Sequence, residues 1–192
     1  GRTPTITVAE HYRRRAAGGV GLILTEGTLV DHPLASADSD IPQITPATVA
    51  AWSGVVDAVH REGAGVLLQL WHQGPVARPR ISATRVTEDG REVAAKADSQ
   101  QEQSLADAFV RGADSARAAG FDGVELHGAQ AYLLDSFLRA GRVDYLCDVV
   151  NETRSRVGAE LILALRFSQW TVRDYPARQF DSPQQLERAL LL

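Results

Sequence analysis

Three side chains with hydrogen-bonding groups lie close together in the segment GFDGVELHGAQAYLLDSFL, which spans residues 120–138. The segment begins as an apolar run of strand length, breaks at a turn of small residues and continues with the apolar spacing of a helix. His127, Gln130 and Tyr132 fall at the break. A histidine and a tyrosine at one strand end could serve as base and acid, so this break is the first candidate catalytic site.

Polar residues also end the other apolar runs. The runs that predict strands buried on both faces cover residues 19–28, 63–72, 120–128 and 159–168. Gln69 and His72 lie near the end of the second run, and Arg166 near the end of the fourth. A buried amide such as Gln69 needs hydrogen-bond partners. Two structural alternatives stay open: Arg166 forms an ion pair with Glu26 or Glu125, and His72 is a rim histidine with satisfied hydrogen bonds.

Amphipathic helical patterns at residues 7–19, 45–65, 103–120 and 144–158 separate these runs. Alternating helices and apolar strands are typical of βα-repeat folds, either a (β/α)8 TIM barrel or a doubly wound sheet. No G-x-G-x-x-G motif joins a strand to a helix, which disfavours a dinucleotide-binding doubly wound sheet. In both folds ligands bind at the carboxyl ends of the strands, so we expect the polar residues to line one rim.

These patterns predict one α/β domain over residues 1–192. A complete (β/α)8 barrel usually takes about 250 residues, and this chain offers about four strand–helix units, so the predicted fold is an incomplete TIM barrel. Residues 75–103 include a long polar stretch without a sustained period, which predicts a mobile lid or loop. The Asp89-Gly90 pair predicts a β-hairpin over residues 85–93.

Composition narrows the classes of partner. The formal net charge is -4, and the basic run at residues 13–15 lacks interleaved aromatic residues, so we expect no nucleic-acid partner. No apolar run reaches the roughly 20 residues of a membrane helix and no leader pattern opens the chain, so we expect a cytoplasmic protein without membrane contact. Cys147 is the single cysteine, which excludes an internal disulfide. No metal site is predicted.

Four segments, in this order, resemble the Old Yellow Enzyme family of FMN-dependent ene-reductases and NAD(P)H:flavin oxidoreductases. They read HYRRRAAGGVGLILTEGTLVD, WSGVVDAVHREGAGVLLQLWHQG, AGFDGVELHGAQAYLLDSFL and LALRFSQW. The third segment is the most specific match. The resemblance implies a (β/α)8 barrel that binds FMN, takes electrons from NAD(P)H and reduces a small enone-type substrate.

The resemblance also implies a role for each candidate residue. His127 and the residue at position 130 would donate hydrogen bonds to the substrate's carbonyl oxygen, and Tyr132 would deliver a proton to its α-carbon. The family usually has Asn or His where this chain has Gln130, so we expect a shifted substrate preference or weaker activity. The structural alternative is that Gln130 only caps the following helix. The FMN-binding residues that the resemblance implies are Gly27, Gln69, His127 and Arg166. It places Trp71 and His72 near the rim of the pocket.

Several parts of the family pattern have no counterpart in this chain: the first strand, the last strands with their FMN phosphate loops, and an internal Asn-Arg and Tyr-Gly-Gly stretch. Three explanations follow. The sequence holds only parts of a longer protein, or the chain is a real fragment or degenerate paralogue, or two copies of the chain pair to close one barrel. An open half-barrel exposes strand edges and apolar faces. We therefore expect either further residues or a homo-oligomer.

Three functional hypotheses compete at this stage. The first is an FMN-dependent oxidoreductase that reduces activated alkenes with NAD(P)H. The second is a non-catalytic, truncated barrel paralogue that acts as a binding or assembly subunit. The third is a flavin-independent barrel enzyme that uses His127 and Tyr132 as acid and base. The joint presence of Gln69, His127, Tyr132 and Arg166 favours the first.

Overall fold

Short strands alternate with helices in the computed structural model of the protein, which describes residues 1–76, 78–170, 178, 180 and 182–190. The strands are β1 (Leu22–Leu29), β2 (Gly65–Trp71), β3 (Ile81–Ser82), β4 (Val86–Glu88), β5 (Arg91–Lys96), β6 (Gly123–Gly128) and β7 (Ile162–Phe167). The helices are α1 (Ile6–Ala17), α2 (Val49–His60), α3 (Ser99–Ala118), α4 (Leu133–Arg139), α5 (Val143–Val157) and α6 (Pro183–Leu190). The alternation confirms the predicted α/β class.

The main sheet has the order β1–β2–β6–β7, and each neighbouring pair is parallel. Gln69 on β2 pairs with Gly27 on one side and with Glu125 on the other. His127 on β6 pairs with Arg166 on β7. Because the carboxyl ends of parallel strands meet at one edge and paired residues share a face, these five residues lie along one rim, as predicted.

Helices cover the opposite face of the sheet. Helices α1, α2 and α3 pack against β1, β2 and β6, and α5 packs beside α3. Trp52 on α2 and Phe109 on α3 are fully buried, and burial of each such side chain stabilises the fold by roughly 2–3 kcal/mol. Gly112 lets α3 approach β2 closely, because a Cβ there would lie 3.0 Å from Leu70. The core therefore lies between the sheet and this helical layer.

Helix α3 begins earlier than the predicted residue 103. Asp98 and Gln101 form a capping box: the Asp98 carboxylate accepts from the Gln101 N–H at 2.8 Å, and the Gln101 side chain accepts from the Asp98 N–H at 3.0 Å. These reciprocal bonds satisfy N–H groups at the helix start. Residues 99–103, within the segment predicted as a lid or loop, are therefore helical.

The predicted hairpin is confirmed. Strands β4 and β5 pair antiparallel across Asp89 and Gly90, whose φ angles are 51° and 73°. Two successive positive φ angles are typical of a hairpin turn that matches strand twist. Strand β3 adds a parallel edge to β5, so residues 75–103 contain a small second sheet. Ala77 lies outside the described residues, and mobility of this segment stays a prediction.

None of the helices in the described part of the chain combines the length and the apolar character needed to cross a bilayer.

We expect Gly123→Ala to destabilise the fold by about 1–3 kcal/mol, because the added Cβ would overpack the β6–β7 pair. That Cβ would lie 2.5 Å from the Ile162 carbonyl oxygen. Urea unfolding followed by circular dichroism measures the change. Gly54→Ala is the matched control: this exposed position on α2 has open space for a Cβ, so the same substitution should stabilise by roughly 0.5–1 kcal/mol. Equal effects at both positions would contradict the packing argument.

Candidate active site

Glu125 joins two of the predicted cofactor-binding residues. Its Oε1 atom accepts from Gln69 Nε2 at 2.7 Å and from Arg166 Nε at 2.9 Å. The Glu125 side chain is 13% exposed and that of Arg166 is 47% exposed. Of the two ion pairs that the sequence left open, the structure forms the one with Glu125, while Glu26 is exposed. The carboxylate thus fixes an amide and a guanidinium at the same rim.

The predicted catalytic residues also meet. The rings of His127 and Tyr132 lie 5.1 Å apart, edge to face, and Tyr132 makes a second such contact with Trp71 at 4.8 Å. Trp71 and His127 stack with their centroids 6.3 Å apart. The side chain of Gln130 lies near enough to the imidazole of His127 to influence its pKa. The structure therefore gathers an imidazole, an amide, a phenol and an indole around one point.

Burial sets the protonation states of this cluster. It lowers the pKa of His127 to about 4, and the positive charge of Arg166 adds to the effect, whereas Glu125 and Asp135 oppose it. Burial also raises the pKa of the Tyr132 phenol above its usual value. At neutral pH the histidine is therefore uncharged and the tyrosine protonated, so both can donate hydrogen bonds and Tyr132 carries a proton to deliver.

The turn between β6 and α4 has an unusual backbone. Gln130 and Ala131 have φ angles of 62° and 66°, which side chains with a Cβ rarely adopt. The Ala131 N–H donates to Asp135 Oδ2 at 2.6 Å, and the Tyr132 N–H donates to the Ala129 carbonyl at 3.2 Å. The N-cap of α4 is Tyr132, without a side-chain capping bond. The alternative that Gln130 caps this helix is therefore wrong.

Two buried histidines, His72 at the end of β2 and His32, contact each other next to the site. His72 is buried; its Nδ1 accepts from the Gly74 N–H at 3.0 Å, and its Nε2 lies 3.3 Å from His32 Nδ1. Because Nδ1 is an acceptor, Nε2 carries the hydrogen and donates to His32. Burial lowers the pKa of His72 to about 3, and His32 adds to the effect. The predicted rim histidine is thus satisfied inside the fold. Its partner His32 lies just beyond the end of β1, and no sequence pattern indicated that it would contact His72.

The end of β2 is tied to the start of α4. The Leu133 N–H donates to the His72 carbonyl at 3.2 Å. Gly74 has a φ of +57°, and a Cβ there would lie 2.6 Å from the Leu133 nitrogen. This close approach holds α4, with Tyr132 at its N-cap, against the Trp71 side of the site.

Several observations fit the predicted flavin. The buried atoms His127 Nδ1 and Trp71 Nε1 have no hydrogen-bond partner in the structure, and buried polar atoms normally have one. The amide of Gln69 and the guanidinium of Arg166 supply further hydrogen-bonding groups at the rim. Gly27 lies against Trp71, where a Cβ would sit 2.7 Å from Cε3, so glycine is required for this packing. A direct contact of Gly27 with the flavin stays a prediction. Among the described residues, no three His, Cys, Asp or Glu side chains gather in a way that could hold a metal ion.

A parallel βα sheet with its polar site at the carboxyl rim places the chain among the βα-repeat proteins, the class to which TIM barrels belong. The chain belongs to the NADH:flavin oxidoreductase / NADH oxidase family, whose model matches residues 1–189. This match confirms the resemblance to the Old Yellow Enzyme family, and with it the class of FMN-dependent oxidoreductases that the resemblance implies.

Individual relatives agree. The 12-oxophytodienoate reductase 1 of Oryza sativa subsp. japonica is 33% identical over 188 residues, which cover 88% of this chain and 46% of that protein. Old Yellow Enzyme from Pichia sp. AKU4542 superposes with a TM-score of 0.84 at 26% identity, covering 98% of this chain and 58% of that one. Morphinone reductase in complex with tetrahydroNAD gives 0.77 at 26% identity, with coverages of 88% and 56%. The chain thus spans about half the length of the proteins it matches.

We expect the free energy of unfolding to fall as the pH drops from 7 to 5. The folded pKa values of His72 and His127, about 3 and about 4, lie below the usual 6.5, so below pH 6.5 the unfolded chain binds protons that the folded chain does not. Each histidine contributes a slope of about 1.4 kcal/mol per pH unit. Urea titrations at several pH values measure it. His72→Gln should reduce the slope, whereas the exposed control His11→Gln should leave it unchanged; equal slopes in all three proteins would exclude this role for His72.

We expect Ala131→Gly to stabilise the protein by about 1 kcal/mol, because glycine adopts the left-handed backbone without the Cβ clash. The control is Ala129→Gly in the same turn, where the alanine is buried and its φ is not positive. There the substitution removes a packed methyl group and should destabilise by a similar amount. Chemical denaturation measures both changes, and destabilisation by Ala131→Gly would show that the turn is not strained.

Proposed function

We propose that the chain forms the substrate-binding half of an FMN-dependent oxidoreductase that reduces activated alkenes, such as α,β-unsaturated carbonyl compounds, with NAD(P)H. The observation that carries this proposal is the cluster of an uncharged His127 and a protonated Tyr132 beside Trp71. Family membership supports the flavin, and the structure of morphinone reductase with tetrahydroNAD supports a nicotinamide reductant by analogy.

Each residue at the rim has a part in this reaction. Gln69 and Arg166 would hold FMN, which supplies the hydride for the β-carbon when it is bound, and the positive charge of Arg166 favours an anionic partner. His127, with Gln130 beside it, would hold the substrate's carbonyl oxygen, where negative charge grows during reduction. Glu125 keeps Gln69 and Arg166 in place through the two bonds to its Oε1 atom.

The proton comes from Tyr132. Its phenol is protonated at neutral pH, burial raises its pKa further, and the aromatic contacts with His127 and Trp71 fix its ring. A proton delivered to the α-carbon completes reduction of the double bond.

The competing hypotheses gain less support. A binding or assembly subunit has no need of an acid and an oxyanion donor in contact, so the geometry does not favour a non-catalytic paralogue. A flavin-independent enzyme would leave the Gln69–Glu125–Arg166 group without a role. A cytoplasmic location and a homo-oligomer stay expectations from the sequence.

The first test is the visible absorption spectrum of the purified protein with added FMN. We expect saturable binding of FMN with a shifted flavin spectrum, and reduction of the bound flavin by NADH or NADPH. A protein that binds no FMN under any condition would overturn the proposed function.

Tyr132→Phe distinguishes reduction of the flavin by NAD(P)H from its reoxidation by the alkene substrate. We expect reoxidation of the reduced flavin by an enone such as 2-cyclohexenone to slow about 100-fold or more, because the proton donor is lost. Flavin reduction by NAD(P)H should not change. Tyr145→Phe is the matched control: it also removes a buried hydroxyl, which donates to the Glu102 carbonyl at 2.9 Å outside the site. Stopped-flow absorbance measures both rates, and equal effects of the two variants would contradict the role of Tyr132.

A further inference from the structure

The catalytic turn is held in a conformation that its own residues disfavour. Gln130 and Ala131 both have left-handed backbone angles, and neither is a glycine or asparagine. Such residues keep this conformation only when surrounding contacts determine it. The contact that holds this turn therefore also decides where Gln130 and Tyr132 lie.

Asp135 makes that contact. Its side chain is 0% exposed, and its Oδ2 atom accepts both from the Ala131 N–H at 2.6 Å and from Arg139 Nε at 2.9 Å. A bond from a backbone N–H to a buried carboxylate is among the stronger hydrogen bonds in proteins. The ion pair with Arg139, one turn later on α4, holds the same oxygen atom. Asp135 thus connects the rigid helix to the strained turn.

We infer that Asp135 is a positioning residue, whose carboxylate holds residues 130–131 in the left-handed conformation and so keeps Gln130 beside His127 and Tyr132 beside Trp71. Asp135 contributes no atom to the reacting groups. Its kinetic consequence rests on the proposed function, whereas its effect on the turn does not.

Other features of the molecule do not replace this contact. The Tyr132 N–H bond to the Ala129 carbonyl is longer, at 3.2 Å, and spans the turn without reaching Ala131. The Leu133 N–H bond to His72 fixes the helix start but leaves the turn before it untouched. Loss of the Asp135 carboxylate therefore removes the hydrogen bond that acts directly on the strained residues.

A double-mutant cycle tests the inference without any need for flavin. It compares the unmodified protein, Asp135→Ala, Ala131→Gly and the combined variant by urea denaturation. Ala131→Gly relieves strain only while Asp135 enforces the turn. We therefore expect it to raise the urea midpoint in the unmodified protein and to raise it much less when Asp135 is alanine, because the turn has already relaxed. Equal shifts in both backgrounds would overturn the inference, whatever the activity.

The second test measures the rates of flavin reduction and enone reduction, with FMN-loaded protein and 2-cyclohexenone as the substrate. We expect Asp135→Ala to slow enone reduction at least tenfold while flavin reduction by NAD(P)H stays within twofold. The combined variant with Ala131→Gly should recover part of the loss, because glycine adopts the turn unaided. A substitution that only destabilises the fold would leave the ratio of flavin reduction to enone reduction unchanged in the folded protein. An unchanged ratio in Asp135→Ala would therefore contradict the positioning role.

Asp135→Asn keeps the experiment informative if the alanine variant does not fold. The asparagine oxygen can still accept from the Ala131 N–H, although the ion pair with Arg139 is lost. We expect enone reduction within about threefold of the unmodified rate and the full effect of Ala131→Gly on the midpoint. Asp144→Asn is the matched control, since its side chain is 67% exposed and pairs with Arg142 on the surface. If Asp135→Asn loses enone reduction tenfold while its urea midpoint matches that of the Asp144 control, the carboxylate does not act by holding the turn.

Discussion

The parallel register of β2, β6 and β7 is the constraint on which the site depends. It sets Gln69 opposite Glu125 and His127 opposite Arg166, all on the face of the sheet away from the helical layer. In a parallel sheet a shift of one residue would turn each of these side chains to the other face. The core therefore fixes the positions of the site residues, because the apolar residues that alternate with them along the strands are buried and so set the register.

The ion pair of Glu125 with Arg166 is compatible with a cofactor-binding role for Arg166. An ion pair between Glu125 and Arg166 was the structural alternative to a flavin-binding arginine, and the structure contains that pair. The same oxygen also accepts from Gln69, so the pair orients two groups rather than removing one from use. Because the Arg166 side chain stays 47% exposed, its charge still faces the rim and helps keep His127 neutral.

Much of the fold follows from the sequence, since the strands and helices repeat the apolar periods that predicted them and the Asp89-Gly90 hairpin forms. The start of α3 was missed because the Asp98–Gln101 capping box outweighs the polar composition around it. Within the site, the strand-end residues were predictable. Asp135 and His32 were not, because their roles come from contacts to a backbone N–H and to a histidine on another strand end.

The turn after β6 exposes a conflict between local preference and the site. An ordinary turn at Gln130 and Ala131 would cost the backbone less, but would move Tyr132 relative to His127 and Trp71. The protein resolves the conflict with a buried carboxylate that binds the strained N–H and is itself held by Arg139. Gln130 therefore differs from the family pattern in more than side-chain length. At position 130 this chain carries a residue that adopts the left-handed conformation less readily than asparagine, so its place next to His127 depends on contacts that hold the turn from outside.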